Sequence, residues 1–214
     1  MKTSACLLFL LLTTSACSSM YYATMESFGM QKRHILVDRV EEARDDQEEA
    51  KEQFKTTLQR FKELSNFDGG DLEDTYEELN AHYEECVEKA ETVTERIDSI
   101  EEVSEDMIAE WQEELDEFDN PDYRRDSEKQ MKATELQAKK MVAAMRAAEY
   151  GMRPVLKAFK DEVLRLKHAL NTKAIASLQG NVLEIENDVN ALILEMERSI
   201  AEANEFIENM NSPQ

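Results

Sequence analysis

Apolar residues recur at alternating steps of three and four along most of this chain, and this pattern constrains the fold more than any other feature. The clearest stretch comprises Leu72, Tyr76, Leu79, Tyr83, Cys86, Ala90, Val93, Ile97, Ile100, Ser104, Met107, Trp111, Leu115 and Phe118. The spacing is the heptad pattern of a helix that packs along its length against other helices. With 5 Gly and 3 Pro in 214 residues, the chain has few places to turn, which disfavours a sheet or a barrel.

Three further stretches carry the same pattern. The first contains Val40, Ala43, Gln47, Ala50, Phe54, Thr57, Phe61 and Leu64. The third contains Thr134, Ala138, Met141, Met145, Ala148, Met152, Val155, Phe159, Val163, Leu166 and Leu170. The fourth contains Ile175, Leu178, Val182, Ile185, Val189, Leu192, Met196, Ile200, Ala203, Ile207 and Met210.

Short polar segments separate the four stretches. In "NFDGGDLED" the two glycines suit a helix end, and Asp71 suits the start of the next helix. In "EFDNPDYRR" Asn120 is an N-cap residue, and Pro121 occupies the first helical position. In "LNTKA" the apolar pattern loses phase, so Asn171 is a candidate helix end and Thr172 a candidate cap.

The sequence therefore predicts an all-α fold, an elongated antiparallel helical bundle or coiled coil of four long helices. We expect the helices over about residues 20–66, 71–118, 121–170 and 174–210, in up-down-up-down order. The alternative is three helices with a very long third.

The N-terminus has the features of a secretion signal. The tetrapeptide TSAC occurs twice, ending at Cys6 and at Cys17, and only the second copy follows the apolar run "ACLLFLLL". A positive residue, a short apolar segment and small residues are typical of a cleaved signal peptide, and the run is too short for a bilayer, which needs about 20 residues. We predict that residues 1–16 are removed and that residues 17–214 form one domain.

The residues around Cys17 also resemble a bacterial lipoprotein signal, in which the cysteine is acylated and becomes the new N-terminus. The resemblance implies lipidation at Cys17, and Ser18 in place of Asp implies the outer membrane, facing the periplasm. Thr14 stands where the motif usually has Leu. Thr14 with Ala16 also fits ordinary secretory cleavage, which would release a soluble periplasmic protein.

Charge is divided unequally between the second and third predicted helices. Residues 71–119 hold 21 acidic and two basic residues, whereas residues 123–173 hold 13 basic and 6 acidic residues. Ion pairs between these neighbours are expected to help fix their register. The acidic excess either solvates an exposed face or binds cations or a basic polypeptide. The net charge of −22 disfavours nucleic acid.

No arrangement of residues predicts catalysis, a cofactor or a metal. The residues three before His34, His82 and His168 are not glutamates, so the paired motif of di-iron bundles is absent. His82 and Cys86 are four apart, but no second ligand pair accompanies them. Met141, Met145 and Met152 lie among heptad positions and are expected to pack in the core. We therefore predict a protein that is not an enzyme.

The chain resembles a Gram-negative lipoprotein family known only as domain of unknown function 2959. The features that carry the resemblance are the lipoprotein signal at Cys17, "FGMQKRHILVDRVEEARDDQEEAKEQF", the turns "NFDGGDLE" and "EFDNPDYR", and "KHALNTKAIASL". The resemblance covers nearly the whole chain and implies a helical envelope lipoprotein without an established catalytic residue. The prediction is a scaffold or adaptor in the cell envelope, held to the membrane by Cys17. The sequence identifies no particular envelope partner and no oligomeric state.

Overall fold

The structure is a computed structural model that describes residues 32–65, 72–172 and 182–212 of the chain. Its four long helices are α1 (Lys32–Ser65), α2 (Leu72–Glu114), α3 (Pro121–Thr172) and α4 (Val182–Asn211), and a short 3₁₀ turn, Leu115–Glu117, follows α2. At about 1.5 Å per residue the 52 residues of α3 extend over roughly 78 Å. The described part of the chain is all-α, as predicted.

Each helix packs against the two that neighbour it in a closed ring. The neighbouring pairs are α1 with α2, α2 with α3, α3 with α4, and α4 with α1. The pairing shows that α1 and α2 are antiparallel, because Lys32 near the start of α1 bonds to Glu110 near the end of α2, and Arg60 near the end of α1 bonds to Glu78 near the start of α2. The result is an antiparallel four-helix bundle. Because α3 and α4 pack side by side, the alternative of one very long third helix is wrong.

The start of α3 is set by local chemistry. The Asn120 side-chain oxygen accepts a hydrogen bond from the Asp122 backbone N–H at 2.9 Å, and Pro121 is the first helical residue. An N-cap acceptor satisfies a backbone donor that the helix itself leaves unpaired, and proline at the first position sacrifices no helical hydrogen bond. The predicted cap at Asn120 and Pro121 is confirmed.

The core follows the four apolar stripes. Phe159 of α3 stacks on two rings of α1, with its ring centroid 5.0 Å from that of Phe61 and 6.1 Å from that of Phe54. Met141, Met145 and Met152 are fully buried, which confirms that they pack in the core. The core also contains a polar pair, in which the buried Ser199 hydroxyl donates to the Gln47 side-chain oxygen at 2.7 Å.

The structure corrects four positions of the predicted stripes. Val103 rather than Ser104 is buried on α2, Ser199 rather than Ile200 on α4, and Ala169 rather than Leu170 near the end of α3. Phe118 lies beyond the helix and is 41% exposed. Val103 and Ala169 are apolar and reach the core with a small change of phase, while Ser199 keeps the heptad spacing and finds a polar partner in Gln47.

Two predicted helix ends also need correction. α2 ends at Glu114 rather than near residue 118, and α3 continues through Asn171 and Thr172 instead of ending at residue 170. The expected starts of the first and fourth helices, near residues 20 and 174, and the cap at Asp71 lie outside the described residues. None of the described helices is both long and apolar enough to cross a membrane.

Candidate functional site: a groove between the second and third helices

The two sides of α2 meet their neighbouring helices in different ways. Toward α1 the boundary is closed by ion pairs, because Arg96 bonds to Glu42 at 2.5 Å and to Asp46 at 2.7 Å. One step along, Lys89 bonds to Glu49 at 2.5 Å. These carboxylates raise the pKa of both cations. Long charged side chains therefore span the α1–α2 boundary along much of its length.

Toward α3 the ion pairs gather around one residue. The Arg146 guanidinium contacts Asp98, Glu101 and Glu149. Hydrogen bonding to Glu101 is the main reason that the pKa of Arg146 is raised above its ordinary value. Glu149 is almost fully buried and also accepts a hydrogen bond from Arg153 at 2.9 Å. A buried carboxylate needs such partners because removing its charge from water is costly.

A surface groove opens between α2 and α3 on one side of this cluster. Its volume is about 680 Å³, which falls within the usual range for ligand pockets of roughly 300–1,000 Å³. Arg146 lies at one end of the groove. Beyond the other end, the Trp111 indole N–H links the two helices by donating to the Ser127 hydroxyl at 2.8 Å. The lining residues are Glu101, Ser104, Glu105, Ile108, Ala109, Gln112, Met131, Glu135, Ala138, Lys139, Val142, Ala143 and Arg146.

Short side chains help to keep the groove open, although longer ones such as Glu105 and Lys139 also line it. Ala109 and Ala143 are exposed, and Ile108 and Val142 are half-buried against the core beneath. Among the described residues, no hydrogen bond or ion pair crosses from α2 to α3 between Arg146 and Trp111. An alanine cannot reach across a boundary that arginine or lysine would cover. The floor is therefore apolar and accessible.

A smaller groove lies on the other side of Arg146. Its volume is about 250 Å³, and it lies between Val87, Glu91 and Thr94 of α2 and Glu149 and Leu156 of α3. The Arg146 cluster thus divides the α2–α3 boundary into two openings, and the larger one is nearer the turn between these helices.

The negative charge of α2 is only partly neutralised. The predicted pairing of α2 with α3 occurs at Arg146, and just beyond the end of α2 Arg124 bonds to Asp116 of the 3₁₀ turn at 2.7 Å. The two basic residues of α2 turn instead to α1. Within the described part of the chain, Glu91, Glu102 and Glu105 have no ion pair, so the outward surface of α2 keeps an excess of negative charge.

The residues considered for metal binding have other contacts. The side-chain nitrogen of Gln53 lies 3.3 Å from His82 Nδ1, and the Thr57 hydroxyl lies 3.2 Å from Cys86 Sγ. Burial raises the pKa of the Cys86 thiol to about 12. No three His, Cys, Asp or Glu side chains in residues 32–65, 72–172 and 182–212 are grouped as metal ligands. Cys17 lies outside the described residues, so its lipidation stays a prediction.

The family match covers nearly all of the helical region. A family model described as protein of unknown function (DUF2959) matches residues 21–210. The chain belongs to this family. The match extends over all four helices, and the groove therefore lies inside the family's domain. No curated protein and no solved structure is similar enough to match the chain.

The sequence predicted neither the groove nor the Arg146 cluster. Its only signal for the groove was the presence of alanines beside the apolar stripes, at Ala109, Ala138 and Ala143. Alanine is common in helices for many reasons, so this signal acquires meaning only when the three residues are seen to line one opening.

Proposed function

We propose that this protein is an outer-membrane lipoprotein, anchored through Cys17 and facing the periplasm, that acts as a non-enzymatic scaffold or adaptor in the cell envelope. The observation that carries the proposal is the α2–α3 groove, an accessible apolar surface on the side of a rod roughly 78 Å long. Exposed apolar surface bordered by polar residues is typical of a protein-binding site.

The topology explains how an anchored rod would present this groove. Lys32, at the start of α1, bonds to Glu110 at 3.0 Å, so the N-terminal end of the bundle is also the end where the α2–α3 turn lies. Fourteen residues lie between Cys17 and Lys32, and this segment reaches at most about 50 Å when fully extended. A protein lipidated at Cys17 would therefore hold the groove close to the membrane and extend the opposite end away from it.

The anchor is tested by replacing each cysteine of the repeated TSAC tetrapeptide. We expect Cys17→Ser to abolish metabolic labelling with fatty acid and to release the protein from the membrane fraction, because the acylated sulfur is lost. Cys6→Ser is the matched control, since that residue leaves with the signal peptide and its loss should change neither result. Labelling that survives in Cys17→Ser would contradict the anchor.

The scaffold role is tested by crosslinking in intact envelopes followed by mass spectrometry at native abundance. We expect crosslinks from the bundle to a second envelope protein. Crosslinks found only within this chain or between its copies would contradict an adaptor function.

The unneutralised carboxylates of α2 favour a second candidate, an acidic binding module for cations or a basic polypeptide. Glu91, Glu102 and Glu105 lie on one helix without ion pairs among the described residues, so added cations would gain attraction without displacing an internal partner. Calorimetric titration with divalent cations and with polylysine should then show saturable binding at physiological salt. A flat titration would argue against this candidate.

A further inference from the structure

The α2–α3 groove is open where the other helix boundaries are bridged. Lys62 bonds to Glu186 at 2.6 Å between α1 and α4, and Lys140 bonds to Glu202 at 2.8 Å between α3 and α4. Along the groove no such bridge crosses between α2 and α3 among the described residues, and Ala109 and Ala143 are exposed. An open boundary between two antiparallel helices is the shape into which a third helix fits, as in other complexes where an amphipathic helix binds in a groove.

The dimensions of the groove suit a short helix. Its lining spans residues 101–112 of α2 and residues 131–146 of α3, which corresponds to about 16–22 Å along the bundle. A helix of three to four turns has this length. The exposed Ala109 and Ala143 allow its backbone to approach closely, and Ile108 and Val142 offer apolar contacts.

The charges around the groove define the chemistry of that helix. Glu105 lines the groove without an ion pair, and Glu102 on the adjacent turn of α2 also has none, within the described residues. Across the groove, Lys139 is already bonded to Glu135 at 2.5 Å. The complementary ligand therefore has an apolar stripe for the floor and Lys or Arg residues for the α2 side.

Charge also disfavours two occupants from the protein itself. Residues 18–31 contain Glu26 and no basic residue, so they offer nothing to the unpaired carboxylates. A second copy of the chain brings a net charge of −22 and would be repelled. We propose that the groove is the docking site for a basic amphipathic helix of a partner protein. This inference deepens the proposed scaffold function and rests on it.

Binding is tested first with a defined probe and the purified full-length protein. The probe is a fluorescent 18-residue Leu/Lys peptide with leucines at helical spacing, and its control is a scrambled peptide of identical composition. We expect saturable one-to-one binding of the helical peptide and much weaker binding of the scrambled one. Equal binding of both peptides would show only a diffuse acidic surface and would overturn the proposal.

Three variants locate the binding site. Glu105→Lys should weaken binding roughly fivefold, since it removes an attraction and adds a repulsion. Ala143→Trp should weaken it at least as much by filling the groove. Glu88→Lys is the matched control, because Glu88 is an exposed residue of the same helix outside both grooves, and it should change binding less than twofold. Equal loss in Glu88→Lys and Glu105→Lys, with circular dichroism unchanged, would overturn the groove as the site.

Photo-crosslinking in intact cells tests the natural occupant. A photoreactive residue at Ala109 or Ala143 should crosslink to a basic amphipathic segment of another envelope protein, and Glu105→Lys should reduce the yield of that product. Crosslinks to residues 18–31 or to a second copy would overturn the proposal.

The exposed Ala191 of α4 serves as the control position. Partner crosslinks from Ala191 but not from the groove would overturn this inference and leave the scaffold function standing, whereas self-contacts from every position would overturn both.

Discussion

The two boundaries of α2 differ although both belong to one helix in one bundle. Toward α1, Arg96 and Lys89 bridge the helices through carboxylates and cover the seam. Toward α3, between Arg146 and Trp111, no bond bridges the helices among the described residues, and exposed alanines leave an opening of about 680 Å³. The difference shows that the apolar stripe makes the bundle, whereas the size of the residues beside the stripe decides whether its surface is closed or available for binding.

Both boundaries depend on the same core, and breaking that core should have the largest effect. Phe159→Ala removes a ring stacked on Phe54 and Phe61, and we expect the free energy of unfolding to fall by about 3–5 kcal/mol, measured by urea denaturation. Leu164→Ala, at a 41% exposed position of the same helix, is the control and should cost under about 1 kcal/mol. If both variants lost the same unfolding free energy, the Phe159 ring would not be the shared support of the two boundaries.

Removing the Arg146 cluster tests what closes the end of the groove. Arg146→Ala leaves the buried Glu149 carboxylate with Arg153 as its remaining bridging partner, and we expect a loss of about 2 kcal/mol in unfolding free energy. Arg153→Ala is the matched control, since the Arg153 side chain is 66% exposed and should contribute under about 1 kcal/mol. If the two variants lost the same stability, the cluster would be a surface feature rather than the closure of the groove.

The α1–α2 boundary should respond to alkaline pH through Cys86. The folded protein holds the pKa of this thiol at about 12, above its ordinary 9.0. The neutral thiol therefore contributes its full stabilisation of the folded protein below about pH 9, and this stabilisation is lost as the pH rises toward 12. Unfolding in urea at pH 8 and pH 10 should show a decrease of about 1 kcal/mol that is absent in Cys86→Ala.

Burial also predicts that Cys86 resists thiol reagents at neutral pH until the bundle unfolds, because the thiolate is the reactive form. Rapid alkylation of the native protein at pH 7 would contradict the closed state of this boundary.

The smallest effect is expected from one bridge of the closed boundary. Arg96→Ala removes two partly exposed ion pairs with α1, and the unfolding free energy should fall by less than about 1 kcal/mol. The difference should shrink in 1 M salt, because screening weakens exposed pairs. Arg198→Ala, which breaks a pair within α4 alone, is the control and should have a smaller effect. A loss in Arg96→Ala that does not depend on salt would assign the residue a packing role instead.

The core positions show how far a heptad pattern can be read from sequence. At Val103 the chain changes phase to bury an apolar side chain in place of Ser104. At Ser199 it keeps phase and buries a hydroxyl while Ile200 stays half-buried. The second choice is stable because Gln47, on another helix, accepts the hydrogen bond, and no local pattern contains that information. The Gln47 side-chain nitrogen finds no partner among the described residues.

The sequence by itself determined the helices, their antiparallel order and the turn at Asn120 and Pro121, because heptad spacing and capping act between residues close in the chain. The tertiary structure alone decided where the charges went and where the surface opened. Arg146 gathers three carboxylates and Ala109 comes to line the same groove as Ala143 only when α2 and α3 are held in register. That register is a property of the packed core, and the candidate binding site is one of its consequences.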